Sequence, residues 1–341
     1  MYLARKYKSN KKIFLLLLFV IFGLLWQYAF SLLEPLDTSG QAPDVLFQVS
    51  PKSYTVEIAQ KLEQQKIIRS AKAFRLYARY HGLDNQIKAG YYLLNPAMSV
   101  EEILNHLVRG KTATKTFTIP EGYTLKQITN TLANKGFIRE ELFTDLLIDG
   151  EFNYSFLQGL PRGERRLEGY LFPETYSIAL DSTEKDIINV MLAGMDRQIK
   201  ELKLEEKAKA QNLTLHQAIT IASMIEREAR KDEDRALISS VIHNRLKIGM
   251  LLQIDATVEY ALGGHREKIY YRDLEIDSPY NTYKYKGLPP GPIAAPGRES
   301  LLAAVTPAQT KYLYYVAKPD GYHAFAETYE EHLRNKAKYL N

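Results

Sequence analysis

Residues 13–33 constrain this chain more than any other stretch. They read Ile-Phe-Leu-Leu-Leu-Leu-Phe-Val-Ile-Phe-Gly-Leu-Leu-Trp-Gln-Tyr-Ala-Phe-Ser-Leu-Leu, without one charged side chain. Such a run has no polar face to turn to water, and about 20 helical residues span the hydrocarbon of a bilayer. The expected structure is a single membrane-crossing helix. Trp26 and Tyr28 stand near its far end, where amphipathic rings favour the interface. Residues 1–12 hold Arg5, Lys6, Lys8, Lys11 and Lys12 and no acid. Cations ahead of a first span predict a cytoplasmic amino terminus, with the body across the membrane. A cleaved signal peptide is the competing reading. The length of the run and the lack of an Ala-x-Ala site after it count against that.

The rest of the chain carries no net charge. Without those five cations, 40 basic side chains face 40 acidic ones. A nucleic-acid binder would carry a basic excess on its domains, so no nucleic-acid partner is expected. With no cysteine, the chain has no disulfide, lipoprotein anchor, thiolate metal site or cysteine nucleophile.

Beyond the span, residues 34–43 read as a polar Pro/Gly-containing linker. Residues 44–112 then order as a small β-α-α-β module: a strand at 44–49, a helix at 53–65 with Ser53 as N-cap, a helix at 71–80 and a strand at 91–94. Ser99 and Glu102 form a capping box for one more helix, closed by Gly110. The order is that of a LysM-type carbohydrate module, as an analogy of topology.

Residues 113–341 read as a larger mixed domain, so the expected class is α+β. A strand at 114–119 leads to a helix at 125–135. Residues 145–166 read as a surface excursion. Leu167-Glu168-Gly169-Tyr170-Leu171-Phe172-Pro173-Glu174-Thr175-Tyr176 suits a rigid aromatic wall or a set of sugar contacts. Helices follow at 183–202, 213–230 and 234–248. Residues 287–297 form a loop with four prolines, which order at low entropic cost. A short helix at 301–305, a hairpin of 312–317 with 322–325, and a helix at 328–340 close the chain.

The helix at 213–230 carries the sharpest chemical signal. Ala218, Ile221, Ala222 and Ile225 recur at helical spacing, with Thr214 as N-cap. Two acids then follow, Glu226 and Glu228, about 200° apart round the axis. Glu226 stands four residues before Arg230, which suits a surface ion pair. Glu228 continues the apolar stripe. It is the candidate for a desolvated carboxyl group with a raised pKa, the state a general acid needs near neutral pH. On the helix alone, a solvated acid at a helix end is the commoner outcome.

Other chemistries lack their residues. Gly110-Lys111-Thr112 resembles the end of a phosphate loop, but Asn105 stands where its first Gly belongs. No His-Glu-x-x-His or Gly-x-Ser-x-Gly occurs, and the seven His residues are scattered, so neither a metal nor another cofactor is expected. Carboxyl and amide chemistry among 24 tyrosines remains.

Residues 222–228, Ala-Ser-Met-Ile-Glu-Arg-Glu, resemble the catalytic helix of the endolytic murein transglycosylases, the YceG-like (MltG) family. So do residues 167–176, His243-Asn244-Arg245-Leu246, Leu252-Gln253-Ile254-Asp255, Tyr280-Asn281-Thr282-Tyr283 and the proline loop, in the same order. One departure is Ala229, where many relatives have Thr. The resemblance implies a lytic enzyme of the inner membrane, single-pass, with a periplasmic body. Its substrate would be peptidoglycan, cut between N-acetylmuramic acid and N-acetylglucosamine inside the strand, leaving 1,6-anhydro ends. It implies Glu228 as general acid and then base, with Gln253, Asp255, Tyr280, Asn281, Thr282 and Tyr283 as substrate-binding residues. It also implies control of nascent strand length, in association with peptidoglycan synthases. Two alternatives stand beside it. A hydrolytic muramidase would need a water-activating carboxylate such as Asp255. A non-catalytic scaffold would bind glycan through the small module.

Overall fold

A computed structural model describes residues 2–264, 266 and 269–340, with side chains from residue 14 onward. The side chains of the basic cluster at 1–12 lie outside the described residues. The chain divides into two units, Met1–Lys115 with Ser177–Asp181, and Thr116–Tyr176 with Ser182–Asn341.

The first unit opens with α1 (Tyr2–Ser31). Its segment Phe14–Ser31 has a mean hydropathy of 2.1 and is wholly exposed, so it is long and apolar enough to cross a membrane. Then come β1 (Val45–Val49), α2 (Thr55–Gln64), α3 (Ala71–Tyr80), β2 (Gly90–Leu94) and α4 (Val100–Arg109). The β-α-α-β order is present, and β1 pairs antiparallel with β2, setting Phe47 opposite Tyr92. Phe47, Leu62, Phe74, Tyr92 and Leu107 fill the core. Ser99 and Glu102 cap each other's backbone as their spacing predicts, and Gly110 takes the left-handed conformation that ends α4. α2 departs from expectation. Its N-cap is Tyr54 rather than Ser53, with the Glu57 carboxylate accepting the Tyr54 N–H at 3.4 Å. The stretch at 34–43 is fastened rather than loose: Leu33 O accepts from Val100 N and Asp37 N donates to Pro96 O.

β3 (Thr114–Thr118) runs across the division between the units. The second unit continues with α5 (Leu125–Asn134), α6 (Glu140–Asp149), β4 (Thr175–Ala179, also crossing the division), α7 (Glu184–Glu201), α8 (Leu204–Ala210) and α9 (Leu215–Glu228). After these come α10 (Asp232–Lys247), α11 (Asp255–Ala261), α12 (Arg298–Val305), β5 (Tyr314–Ala317), β6 (His323–Ala326) and α13 (Tyr329–Tyr339). Three helices differ from the sequence expectation. α8 forms in a charged stretch between two expected helices. α6 reaches into the stretch expected to be a surface excursion, which also buries Phe156 and Leu157. α11 begins at Asp255, where alternating polar and apolar residues suggest no helix.

α9 lies at the centre of this unit and packs against α8, α10, α11 and α12. Thr214 caps it with Gln217 in a capping box. Every residue from Ala218 to Ile225 is buried, so α9 is a core helix buried all round rather than an amphipathic one with a single stripe. It ends at Glu228, two residues earlier than the periodicity suggests. Ala229 is extended, with ψ 125°.

The aromatic stretch packs as a wall: Leu167, Tyr170, Leu171, Phe172 and Tyr176 are buried. Gly169 has φ +79°, and a Cβ there would collide with the Pro292 ring. Glycine therefore lets this wall press against the proline loop.

Candidate active site

Three chain segments converge on the end of α9. Glu228 supplies the carboxyl group. From the β5–β6 hairpin, Tyr315 donates its hydroxyl to Glu228 Oε2 at 3.2 Å. From the other side comes the first turn of α11, where Asp255 raises the Glu228 pKa by charge repulsion and the Ala256 N–H hydrogen-bonds the Glu228 carboxylate. Asp255 is itself held, its Oδ1 accepting the Tyr283 hydroxyl at 2.5 Å.

This surrounding sets the acidity of Glu228. The residue as a whole is half-buried, while its carboxyl group is packed in by protein. Desolvation pushes its pKa up, Asp255 adds to the rise, and the Tyr315 and Ala256 hydrogen bonds oppose it; the result is about 7. Its place at the C-terminal end of α9, where the helix dipole disfavours a negative charge, acts in the same direction as the burial. Tyr315 responds in kind, its hydroxyl held far above the ordinary range by burial and by the Glu228 charge. A carboxyl group that is half protonated near pH 7 can both give and take a proton.

Glu226 does different work. The expected surface pair with Arg230 is absent: the Glu226 side chain is only 7% exposed and pairs with Arg235 at 3.3 Å. Its other oxygen accepts the Gly297 N–H at 2.8 Å, just ahead of α12. Both acids therefore turn inward, because α9 has no solvent face to give Glu226. What separates them is the partner. Each has an acid nearby, Glu121 for Glu226 and Asp255 for Glu228, but Glu226 also meets a cation and a backbone donor, whereas Glu228 meets a hydroxyl and a backbone N–H.

The proline loop is fixed to α9 at two points. Ser223 Oγ accepts the Ile293 N–H at 3.0 Å, and Glu226 holds Gly297. His216, near the start of α9, adds a third. Its Nε2 lies 2.8 Å from Pro290 O, which can only accept, so Nε2 carries a proton. The Tyr170 hydroxyl lies 2.7 Å from Nδ1.

Arg245 organises the two segments that face Glu228. It donates to Leu313 O at 2.6 Å, two residues before Tyr315, and to Leu252 O at 2.6 Å, three residues before Asp255. Its neighbours also clamp backbone: Asn244 donates to Tyr312 O at 2.9 Å, and His243 bonds Ala304 O at 2.9 Å. Burial lowers the His243 pKa, which keeps that ring neutral.

The expected substrate contacts divide into two groups. Gln253 and Asp255 are exposed and Tyr283 is half-buried; of the three, Asp255 and Tyr283 interact electrostatically with Glu228. Gln253 has φ +52°, a left-handed conformation uncommon outside glycine, and its N–H bonds Thr282 O at 3.1 Å. Asn281 and Thr282 point inward, with 0% and 2% exposure. The Asn281 amide donates to Leu274 O and Ile276 O, and Thr282 Oγ1 accepts the Ile254 N–H at 3.0 Å. They set the shape of the loop that Tyr283 rides on. Tyr280 is buried against Tyr260, with ring centroids 4.9 Å apart.

Three participants carry no local signal in the sequence. Tyr315 reads as an ordinary strand residue, and only the hairpin register, with Tyr315 opposite Phe325, brings it to Glu228. Arg245 stands in a quoted motif without a legible role. Glu168 is a second buried acid, 4% exposed, with a pKa raised to about 7 by desolvation. It accepts the Leu125 N–H and the Tyr260 hydroxyl, each at 3.0 Å, and so ties α5 to α11.

A family model described as the YceG-like family matches residues 47–338. The chain belongs to that family. An endolytic murein transglycosylase of Bacillus subtilis is 37% identical over 341 residues, covering 94% of this chain and 92% of that protein. A protein of the same name from Streptococcus pneumoniae serotype 2 is 35% identical over 368 residues. That alignment takes in 98% of this chain but 66% of the longer pneumococcal protein. The crystal structure of a yceG-like protein from Listeria monocytogenes matches with a TM-score of 0.58 and 37% identity. It covers 86% of this chain and 99% of that one.

Proposed function

We propose that this protein is a lytic transglycosylase that cuts murein glycan strands from within, with Glu228 as its single acid and base. One observation carries the reading: Glu228 is a desolvated carboxyl group with a pKa of about 7, held by Tyr315 and flanked by Asp255, which Tyr283 holds in turn. In the neutral form Glu228 protonates the glycosidic oxygen between N-acetylmuramic acid and N-acetylglucosamine. The C1–O bond breaks as positive charge builds on the muramyl ring. The resulting carboxylate then removes the proton from the sugar's own C6 hydroxyl, whose oxygen closes on C1. The 1,6-anhydro ring forms, and Glu228 is again neutral. No water is consumed. Asp255 bears on this sequence twice, raising the Glu228 pKa and placing a negative charge near the developing cation.

Asp255 also favours a second reading. An exposed carboxylate beside a protonated one is the pair a hydrolytic muramidase uses, with Asp255 activating water. Digestion of purified strands followed by mass analysis separates the two. Anhydro ends are expected; ordinary reducing ends alone would refute the lyase. Glu228→Gln should abolish cleavage while the protein still co-sediments with murein. Unimpaired cleavage would move the chemistry elsewhere.

The apolar Phe14–Ser31 segment supports a single-pass anchor, and the cations ahead of it support a body on the periplasmic side. Removing residues 1–33 should release the protein from the membrane fraction. The β-α-α-β order of the first unit supports reading it as a LysM-like glycan module. An anchored endolytic enzyme would trim new strands beside the synthases that make them, so its loss should lengthen the strand distribution. An unchanged distribution would count against that role.

A further inference from the structure

Arg165 has no place in the proton transfers above, yet its position is closely defined. It is exposed, and its guanidinium lies over two tyrosine rings, 5.2 Å from the Tyr260 centroid and 4.8 Å from that of Tyr280. Beneath them, the Tyr260 hydroxyl is fixed on the buried Glu168 carboxyl at 3.0 Å. The Arg165 charge also opposes the rise that burial gives the Tyr280 pKa and attracts Glu168. It is thus stacked rather than spent on a carboxylate, and the outward edge of its planar fork stays open to solvent.

Two elements tie its location to the surroundings of Glu228. The loop that places Tyr283 on Asp255 places Tyr280 under Arg165 three residues earlier. α11 likewise runs from Asp255 to Tyr260. Five helical residues turn through about 140° beyond a full revolution, so Arg165 lies off to the flank of Asp255 rather than in line with it. A flank position suits a branch leaving the glycan chain better than the chain itself. Murein strands carry such branches, peptides joined through the muramyl lactyl group, and these branches bear carboxylates. Two further acids, Asp255 and Glu259, act on Glu228, the second of them paired to Arg227 at 3.3 Å. An anionic branch is repelled there and needs a cation to one side.

We propose that Arg165, stacked on Tyr260 and Tyr280, is a specificity site that binds a carboxylate of the substrate's branch and so aligns the muramyl residue over Glu228. This rests on the murein reading of the same site. The test compares Arg165→Met with the unmodified full-length protein on two substrates, native strands and strands whose carboxyl groups have been amidated. A lost charge-assisted, two-pronged hydrogen bond predicts about a tenfold to hundredfold fall in kcat/KM on native strands. On amidated strands the variant and the unmodified protein should perform alike. Arg165→Lys should recover part of the loss, since it keeps the charge without the fork. A third substrate, strands stripped of peptide by an amidase, lacks the peptide carboxylates and exposes a lactyl carboxylate that native strands hold as an amide. The variant and the unmodified protein should perform alike there too, and a loss as large as on native strands would overturn the proposal. An equal loss on native and amidated strands would overturn the proposal and leave Arg165 a packing residue. No loss on native strands would overturn it too. The form of the product keeps the two readings apart: reducing ends in place of anhydro ends would refute the lyase without bearing on Arg165.

Discussion

Glu228→Gln should stabilise the protein while destroying its activity, and the gain should depend on pH in a defined way. In the unfolded chain Glu228 titrates near 4.5, and in the folded one near 7. Below pH 4.5 the group is neutral in both states and folding bears no electrostatic cost. As pH rises from 4.5 to 7 the unfolded chain ionises freely while the folded one resists, and stability falls. Above 7 the loss is complete. At 1.36 kcal/mol per pH unit the gap corresponds to about 3 kcal/mol. The substituted amide would keep the size and accept the same Tyr315 hydroxyl without ever charging. The variant should therefore match the unmodified protein at pH 4.5 and exceed it by up to about 3 kcal/mol at pH 8.5. For a unit of this size that is a Tm difference of about 6–12 °C. The measurement is calorimetry on full-length protein in detergent, following the transition of the second unit across that pH range. A Tm difference that is constant with pH, or that favours the unmodified protein at pH 8.5, would refute the desolvated-acid argument.

Three further outcomes follow from the same geometry. Cleavage should decline as pH rises through about 7, because the acid form is consumed. Tyr315→Phe removes a hydrogen bond that favours the charged form, so the decline should move to higher pH; Asp255→Asn removes a repulsion, so it should move to lower pH. Shifts in the same direction would show that these neighbours do not set the Glu228 pKa. Ser223→Ala leaves the buried Ile293 N–H without its acceptor and should cost about 1–3 kcal/mol by chemical denaturation, with activity falling as the proline loop loosens. Gly169→Ala combines a left-handed backbone, itself about 1–2 kcal/mol, with a collision against Pro292. A thermal scan showing no loss at that site would mean the wall and the loop are not in contact.

What is legible in the sequence is local. Capping pairs such as Ser99 with Glu102 and Thr214 with Gln217 stand where helices begin, because each is a contact within four residues. The apolar run of α1 is read from length and charge alone. Helical phase and the resemblance together distinguish Glu228 from Glu226. Phase fails, however, to describe Glu226, since periodicity assumes a helix with one wet face and α9 has none. α11 is hidden for a related reason. Its seven residues are too few for a helical period to rise above an alternating pattern.

The tertiary structure decided the chemistry around the acid. Tyr315 lies 87 residues from Glu228 along the chain, and no short-range propensity links them. Their meeting depends on the β5–β6 register and on Arg245 gripping the backbone of two separate segments. The pKa of Glu228 is likewise a property of the assembled surroundings. Desolvation, the nearby Asp255 charge and the end of α9 exist together only once the second unit has folded. The sequence singled out the candidate acid, because residue type and the motif around it are local. Folding decided how strong an acid it is, because the local field sums over groups from distant parts of the chain.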